Sequence, residues 1–385
     1  MSVRKREWTT RKGEQRAAWV LDYRDRDGKR RIETFQKKKL ADARSSEVAV
    51  DIKSGVHVPR GESITVAQAG DNWIARCEAD KLERSTIAQY RQHLDGHIKP
   101  HIGSAKLADL TGPQVASFER QLHKAGASDA MRRKVLVSLS SLLRLAMREG
   151  DVNRNVADGH RVKTNKRARR KLKIGVDIPS LEEIRAFVGV LNDRWGPFFL
   201  TAVFTGMRAS ELRGLNWENV DLKKGEIHVR ERADRFHEIG HPKSESSERT
   251  IPVGPIVVNR LKAWKLECPK GDHGLVFPTG KGGVQSHSNI RRRALIPLME
   301  KAGLVHKKGE KKGKAKYTGL HSLRHFYASW LINPQDLGGQ GLPPKVVQER
   351  LGHSTLAMTT DTYGHLFPRG DDASQLREAE RALIG

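Results

Sequence analysis

Apolar residues recur at helical spacing between residues 61 and 160. In the stretch 65–81 they return every three or four positions, at Val66, Ala69, Trp73, Ile74 and Cys77, which predicts an amphipathic helix. The same criterion predicts helices at 84–98, ending near Pro100, from Thr111-Gly112-Pro113 onward, and at 128–148. The last of these has an apolar stripe of Val135, Leu139, Leu142, Leu143 and Ala146. We therefore expect this segment to be an all-α domain.

The first 60 residues have a different pattern. Strand-like runs at 17–23 and 30–35 flank Asp25-Arg26-Asp27-Gly28, a sequence typical of a hairpin turn. A helix is predicted at 38–54 and closed by Gly55. The pattern indicates a small domain made of a β-sheet and one helix.

Residues 176–385 mix both patterns. Ser180 and Glu183 form a capping box that opens a helix at 181–191. Further helices are predicted at 196–204, 208–212, 256–266, 287–302, 319–331, 344–351 and 374–384, and strands at 226–230 and 249–253. This part is predicted to be a mainly α (α+β) domain with a small antiparallel sheet, so the fold class is multidomain.

The segment 161–175 separates the last two domains. It contains eight Lys and Arg residues, no acidic residue and almost no apolar one, so it cannot bury a core of its own. We interpret it as a basic linker whose residues Lys166, Arg167, Arg169 and Arg170 are candidates for contacts with a polyanionic partner. The predicted domains are 1–60, 61–160 and 176–385.

Charge narrows the range of partners. The chain of 385 residues has a formal net charge of +26, and such an excess favours a polyanionic partner, most commonly nucleic acid. The apolar run at 198–204 is too short to span a bilayer, and no secretory signal is visible at the N-terminus. The two cysteines, Cys77 and Cys268, fit no zinc spacing. We expect a reduced, cytoplasmic protein that binds nucleic acid and has no membrane partner.

The predicted helix at 128–148 carries a basic face opposite its apolar stripe, with Arg132, Arg133, Lys134, Arg144 and Arg148. Spacing alone leaves two interpretations open. The face is either ordinary solvated surface or a surface that contacts phosphates.

The residues with the most specific spacing lie in the C-terminal half. Gly206-Met207-Arg208-Ala209-Ser210-Glu211-Leu212 is followed by His321-Ser322-Leu323-Arg324-His325, Leu351-Gly352-His353 and Tyr363-Gly364-His365. Cleavage of a phosphodiester needs a nucleophile, cations for the non-bridging oxygens and an acid for the leaving oxygen. No Mg²⁺ site is evident in the sequence, so arginine forks are expected to meet the phosphate charge.

Each role has a candidate. Arg208 and Arg324 would bind the non-bridging oxygens, and Tyr363 would attack phosphorus. Glu211, one turn after Arg208, is placed to hold either Arg208 or a catalytic histidine. His321 lies three residues before Arg324, so both project from one side of a helix, and His353 could bind the same phosphate. Lys243, between the two predicted strands, could protonate the leaving oxygen, with Lys262 and Lys281 as rivals. Singly, each has an ordinary structural explanation; together, in one order within a basic domain, they are specific.

These motifs resemble those of the tyrosine recombinases, the phage integrase family. The resemblance implies the catalytic set Arg208, Lys243, His321, Arg324, His353 and Tyr363, with no metal or cofactor. It implies an arm-type DNA-binding domain at 1–60 and a core-binding domain at 61–160, and it favours DNA contact for the basic helix face. It also implies a 3′-phosphotyrosyl intermediate and a homotetramer on double-stranded DNA, with possible accessory DNA-bending proteins, in the nucleoid of a bacterial host.

Three points stay open at this level. A type IB topoisomerase would use similar chemistry without exchange between two sites, and a DNA-binding protein of the same fold could lack activity. The C-terminal helix at 374–384 has an apolar stripe after the nucleophile that could pack on its own domain or on a neighbouring protomer.

Overall fold

The computed structural model describes residues 1–10, 13–25, 28–53, 59, 61–162, 171–242, 244–368 and 373–384. The chain forms two compact units, 1–166 and 167–385. Five predicted DNA-facing or catalytic residues, Lys166, Arg167, Arg169, Arg170 and Lys243, lie outside the described residues. Within the described ranges, no helix has the length and apolar character needed to cross a lipid bilayer.

The first unit begins with an antiparallel sheet in the order β1-β2-β3, formed by β1 (Ser2–Thr9), β2 (Gln15–Arg24) and β3 (Arg30–Phe35). Helix α1 (Lys38–Lys53) covers it, and a small core forms around Leu21, Tyr23 and Val48. The sequence pattern did not predict β1, because nearly all of its side chains are exposed and it has no apolar alternation.

Five helices follow in the same unit: α2 (Val66–Ala79), α3 (Arg84–His93), α4 (Lys99–Ile102), α5 (Gly112–Lys124) and α6 (Asp129–Glu149). Thr65 and Thr111 form capping boxes, and Ser128 caps α6. The predicted end near Pro100 differs from the structure, where a π-helical turn at Leu94–Ile98 leads from α3 into α4. Pro100 lies in the first turn of α4, where its missing N–H is not needed.

The second unit opens with α7 (Leu181–Gly189), α8 (Gly196–Thr205) and α9 (Ala209–Gly214). A sheet in the order β4-β5-β8 follows, from β4 (Val220–Asp221), β5 (Glu226–Val229) and β8 (Arg249–Pro252). Between β5 and β8 the chain forms the two-stranded hairpin β6 (Arg232–Ala233) and β7 (Ile239–Gly240). The sheet is antiparallel, as the sequence predicts.

The rest of the unit is helical: α10 (Pro255–Glu267), α11 (His287–Ile290), α12 (Ile296–Lys301), α13 (His321–Ile332), α14 (Pro344–Leu351), α15 (Leu356–Tyr363) and α16 (Ala373–Ile384). A π-helical turn at Arg291–Leu295 joins α11 to α12. Short 3₁₀ turns occur at Leu107–Asp109, Trp217–Asn219, Glu245–Ser247, Gln335–Leu337 and Gly364–Leu366. Helix α13 is buried along most of its length and packs against α8 and α14. It therefore fixes the backbone around His321 and Arg324.

Candidate active site

Two glycines end helices in the left-handed conformation and shape the site. Gly206 ends α8 with φ 57°, and Gly352 ends α14 with φ 64°. A Cβ at Gly206 would lie 2.3 Å from Cδ1 of Tyr327, and one at Gly352 would lie 2.9 Å from Nη1 of Arg249. Both positions therefore require glycine on conformational and on steric grounds.

Arg324 is held by carbonyl groups at the ends of these helices. Its Nη1 donates to the Gly206 carbonyl at 2.8 Å and its Nη2 to the Leu351 carbonyl at 2.5 Å. The last carbonyls of a helix lack intrahelical partners and carry partial negative charge, so they suit a guanidinium. Only 2% of Arg324 is exposed. Burial, followed by Arg208 and Arg249, lowers the pKa of Arg324, so binding an anion here would relieve the confined positive charge.

Arg208 and Arg249 bind the same end of α14. Nη2 of Arg208 donates to the Gly352 carbonyl at 2.8 Å, and Nε of Arg249 donates to the Arg350 carbonyl at 2.9 Å. The Arg208 side chain is one-third exposed, whereas that of Arg249 is buried. The Arg208 guanidinium is therefore accessible to a ligand that arrives from solvent, whereas the Arg249 side chain is enclosed by protein.

Glu211 lies beneath these arginines and is 2% exposed. It accepts from Nη1 of Arg208 at 2.7 Å and from both terminal nitrogens of Arg249, at 3.2 and 2.8 Å. It also accepts from the backbone N–H of Arg208, which completes the N-terminal cap of α9. Burial alone would raise the pKa of Glu211, but Arg249, then Arg208 and Arg324, lower it to about 2. Its carboxylate is thus a permanent counter-ion.

Two histidines lie one helical turn apart on α13. His321 is exposed and His325 is half-buried, and their rings meet edge to face with centroids 4.5 Å apart. Partial desolvation of the ring, followed by the charges of Arg324 and Arg208, lowers the pKa of His321. Burial, His321 and Arg324 lower the pKa of His325 to about 4. Both imidazoles therefore favour the neutral form near neutral pH.

Tyr363 is the last residue of α15 and is 2% exposed. Its hydroxyl lies 2.7 Å from Nδ1 of His325, and its ring is parallel to that of His353, with centroids 6.5 Å apart. Nδ1 of His353 is bonded to the Thr359 hydroxyl at 2.9 Å. Burial raises the pKa of Tyr363 to about 12, and the charge of Arg324 opposes that rise. The phenol thus lies within the field of Arg324.

The structure brings most predicted site residues into one cluster. The bonds and ring contacts above connect Arg208, Glu211, Arg324, His353, Tyr363 and, through His325, His321. Sequence reasoning assigned no role to His325 or Arg249. His325 belongs to the His-x-x-Arg-His run, but Arg249 sits at a strand start, where an arginine carries no distinctive signal.

The basic face of α6 differs from its prediction at one position. Arg132 is buried and forms ion pairs with Glu119 of α5 and, at 2.6 Å, with Asp129. Its guanidinium joins α5 to α6, because Asp129 lies one turn earlier and Glu119 faces it across the helix contact. Arg133, Lys134 and Arg144 are exposed, which fits both a solvated surface and a surface that contacts phosphates.

Comparisons with known proteins identify the family that this chain resembles. Residues 181–369 match the phage integrase family, and residues 66–163 match the phage integrase central domain. A XerC-like tyrosine recombinase of Caldanaerobacter subterraneus subsp. tengcongensis is 25% identical over 374 residues, covering 90% of this chain and 91% of the relative. The ICEBs1 integrase of Bacillus subtilis is 24% identical over 311 residues, 77% of each chain.

Solved structures share the fold. The integrase of transposon Tn1549, in complex with transposon right-end DNA, superimposes with a TM-score of 0.65 at 18% identity, covering 84% of this chain and 100% of that one. A lambda integrase tetramer bound to a Holliday junction gives a TM-score of 0.59 at 17% identity, covering 95% and 97%. The chain belongs to the phage integrase family of tyrosine recombinases.

Proposed function

We propose that this protein is a site-specific DNA recombinase that cleaves and rejoins strands through a 3′-phosphotyrosyl intermediate, and so integrates or excises a mobile element such as a prophage. The observation that carries this proposal is the Tyr363 phenol, buried beside His325 and His353 within the field of Arg324. A phenol whose pKa is raised by burial but lowered by the charge of Arg324 suits attack on a phosphate held by that arginine.

The proposed clamp consists of Arg208 and Arg324. Each donates to a helix-end carbonyl through a terminal nitrogen, and Glu211 compensates the charge of Arg208. In the transition state the two forks would bind the non-bridging oxygens, where negative charge develops. His321 and His353 would donate hydrogen bonds to the same phosphate, and Lys243 would protonate the leaving oxygen.

The proposed reaction is two successive transesterifications. The Tyr363 oxygen bonds to phosphorus while the bond from phosphorus to the 5′ oxygen breaks, and Lys243 protonates the departing oxygen. A 5′ hydroxyl from the partner duplex then attacks the phosphotyrosyl linkage and restores the phenol. The covalent intermediate retains the bond energy, so the exchange requires no nucleotide cofactor.

The other domains are proposed to bind the duplex. Residues 1–60 would contact arm sites, 61–160 the core site through Arg133, Lys134 and Arg144, and the linker 161–175 the backbone through Lys166, Arg167, Arg169 and Arg170. The exposed charges on α6 and the net charge of +26 support such contacts. The catalytic domain would span 176–385.

Strand exchange between two duplexes requires four active sites, so we propose a homotetramer on DNA. The lambda integrase tetramer on a Holliday junction is a neighbour of the same fold. Leu383 and Ile384 at the end of α16 are 87% and 84% exposed, which favours packing of this helix on a neighbouring protomer. Accessory DNA-bending proteins could then bring arm and core sites together in a nucleoid complex.

The test is formation of a covalent adduct. The full-length protein is incubated with nicked target DNA, and a protein–DNA complex is sought in a denaturing gel. We expect the adduct with the native chain and with Tyr90→Phe, a tyrosine of the helical domain, but not with Tyr363→Phe, which should still bind DNA. An adduct with Tyr363→Phe would disprove the nucleophile assignment.

A further inference from the structure

The attacking phenol must lose a proton, and no residue of the proposed catalytic set has the role of accepting it. Burial raises the pKa of Tyr363 to about 12, so roughly one phenol in 10⁵ would be ionised at pH 7. A neutral phenol is a poor nucleophile, and proton removal during attack is the usual remedy. The site therefore requires a base within hydrogen-bond distance of that hydroxyl.

His325 lies at that distance. Its Nδ1 is 2.7 Å from the Tyr363 hydroxyl, and the two rings meet at 65°. The tautomer with the ring proton on Nε2 lets Nδ1 accept this hydrogen bond from the phenol, and a base at this position requires that tautomer. His325 follows Arg324 on the rigid helix α13, so its ring position is set by the same helix as the phosphate clamp.

The surrounding charges keep His325 available as an acceptor. Burial, His321 and Arg324 lower the pKa of His325 to about 4, and only Asp177, which precedes α7, opposes them. From α15 the facing group is Tyr363 itself, whose hydroxyl lies 2.7 Å from Nδ1 of His325. The imidazole is therefore neutral at neutral pH.

The other two histidines are less suitable. His353 presents its face to Tyr363, since the rings are parallel, and its Nδ1 is already bonded to Thr359. His321 touches the ring of His325 and is exposed, so it lies on the solvent side of the pair.

We propose that His325 is the general base of the cleavage step, a role that rests on the proposed recombinase function. As the Tyr363 oxygen bonds to phosphorus, its proton moves to Nδ1 of His325, and the electron pair of the breaking bond leaves with the 5′ oxygen, which Lys243 protonates. In the rejoining step the neutral Lys243 amine takes up the proton of the attacking 5′ hydroxyl, and the His325 imidazolium returns its proton to the departing phenolate. Protons and charges balance over the two steps.

The experiment uses His325→Gln, which keeps a hydrogen-bond acceptor but cannot take up a proton. Single-turnover cleavage is measured on DNA whose 5′ bridging oxygen is replaced by sulfur, because a thiolate leaves without an acid and so removes the pH dependence of Lys243. We expect cleavage at pH 7 to be at least about 10²-fold slower than in the native chain. The native rate should be flat from pH 6 to 9, whereas the variant's should rise about tenfold per pH unit as the phenol ionises unaided.

Three outcomes would overturn the proposal. A variant within threefold of the native rate, or with the native pH profile, shows that His325 takes no proton. A faster variant shows that the hydrogen bond restrains Tyr363 in a resting state. In the native chain, a ¹⁵N spectrum at pH 7 should show His325 neutral and protonated at Nε2; a proton on Nδ1 would contradict the role even if the variant fails to fold.

Two control variants distinguish a failure of the His325 role from a failure of the proposed recombinase function. His321→Gln should slow cleavage without the steep pH dependence, because it loses a phosphate contact and no base. If Tyr363→Phe still cleaves, the recombinase mechanism itself fails. If Tyr363→Phe is inactive and His325→Gln cleaves normally, only the role of His325 fails.

Discussion

Glu211 is the counter-ion of the arginine cluster, and its replacement offers a quantitative test of how the site is stabilised. Glu211→Gln keeps the shape of the side chain but removes the charge that faces Arg208 and Arg249. In the native chain the Glu211 carboxylate accepts from both terminal nitrogens of Arg249 and from Arg208. In the variant, the amide N–H₂ of glutamine would face one of these guanidinium groups, donor against donor. Two positive charges would then remain close together, one of them buried.

The size of the effect follows from the structure in two ways. A pKa of about 2 in place of 4.5 means that folding favours the carboxylate by about 3 kcal/mol. Removal of one partner from a buried ion pair costs about 3–5 kcal/mol in other proteins. We expect the free energy of unfolding at pH 7 to fall by about 3 kcal/mol, and the urea midpoint of the full-length chain to fall by about 1 M or more.

The pH dependence gives an independent check. The pKa of Glu211 is depressed in the folded state, so its contribution is complete above pH 4.5 and is lost as the pH falls towards 2. The gap between the native chain and Glu211→Gln should therefore shrink by about 2 kcal/mol between pH 7 and pH 3. Glu349→Gln is the control, because its pair with Lys345 is exposed, and it should leave the midpoint unchanged. A gap below about 1 kcal/mol at pH 7, or one that does not change with pH, would refute the counter-ion role.

Two further substitutions test the clamp and the hairpin next to it. Arg208→Lys should lower the cleavage rate by about 10²-fold while retaining DNA affinity, because an ammonium cannot bind Glu211, the Gly352 carbonyl and a phosphate together; a near-normal single-turnover rate would contradict this. Arg213 is 5% exposed and donates to the carbonyls of Gln285, Ala233 and Asp234, so Arg213→Met should displace the hairpin that leads to Lys243. The cleavage defect of Arg213→Met should be smaller on the sulfur-substituted DNA than on ordinary DNA, because the thiolate needs no acid. An equal defect on the two substrates would argue against a link between Arg213 and Lys243.

The sequence predicted the elements whose signals are local. The capping residues Thr65, Thr111, Ser128 and Ser180 precede apolar periodicity, and each caps the helix it was expected to start or adjoin. The fold class is likewise confirmed, with its small antiparallel sheets and helical domains. Such features depend on neighbours within one or two turns, which a single sequence displays.

Contacts between residues that are far apart in the chain could not be predicted from the sequence. Arg132 belongs to a basic stripe by spacing, but Glu119 of α5, thirteen residues away, turns it into an internal ion pair. Arg249 joins the site through Glu211 and the Arg350 carbonyl, 38 and 101 residues away in the chain. No periodicity reveals such contacts, because they are created by the packing of β8 against α14 and α9.

The glycines in the motifs now have a physical explanation. Gly206 and Gly352 adopt positive φ at the ends of α8 and α14, where the chain exposes carbonyls that no further helical turn can occupy. Those carbonyls, with that of Leu351, accept from both terminal nitrogens of Arg324 and from Nη2 of Arg208, whose Nη1 pairs with Glu211. Among the described residues, Arg324 is thus held by carbonyls without a hydrogen bond to a carboxylate, so its charge stays available for an anion. The spacing Gly-x-Arg and Leu-Gly-His thus sets the direction of the helix-end carbonyls as well as the order of the reactive side chains.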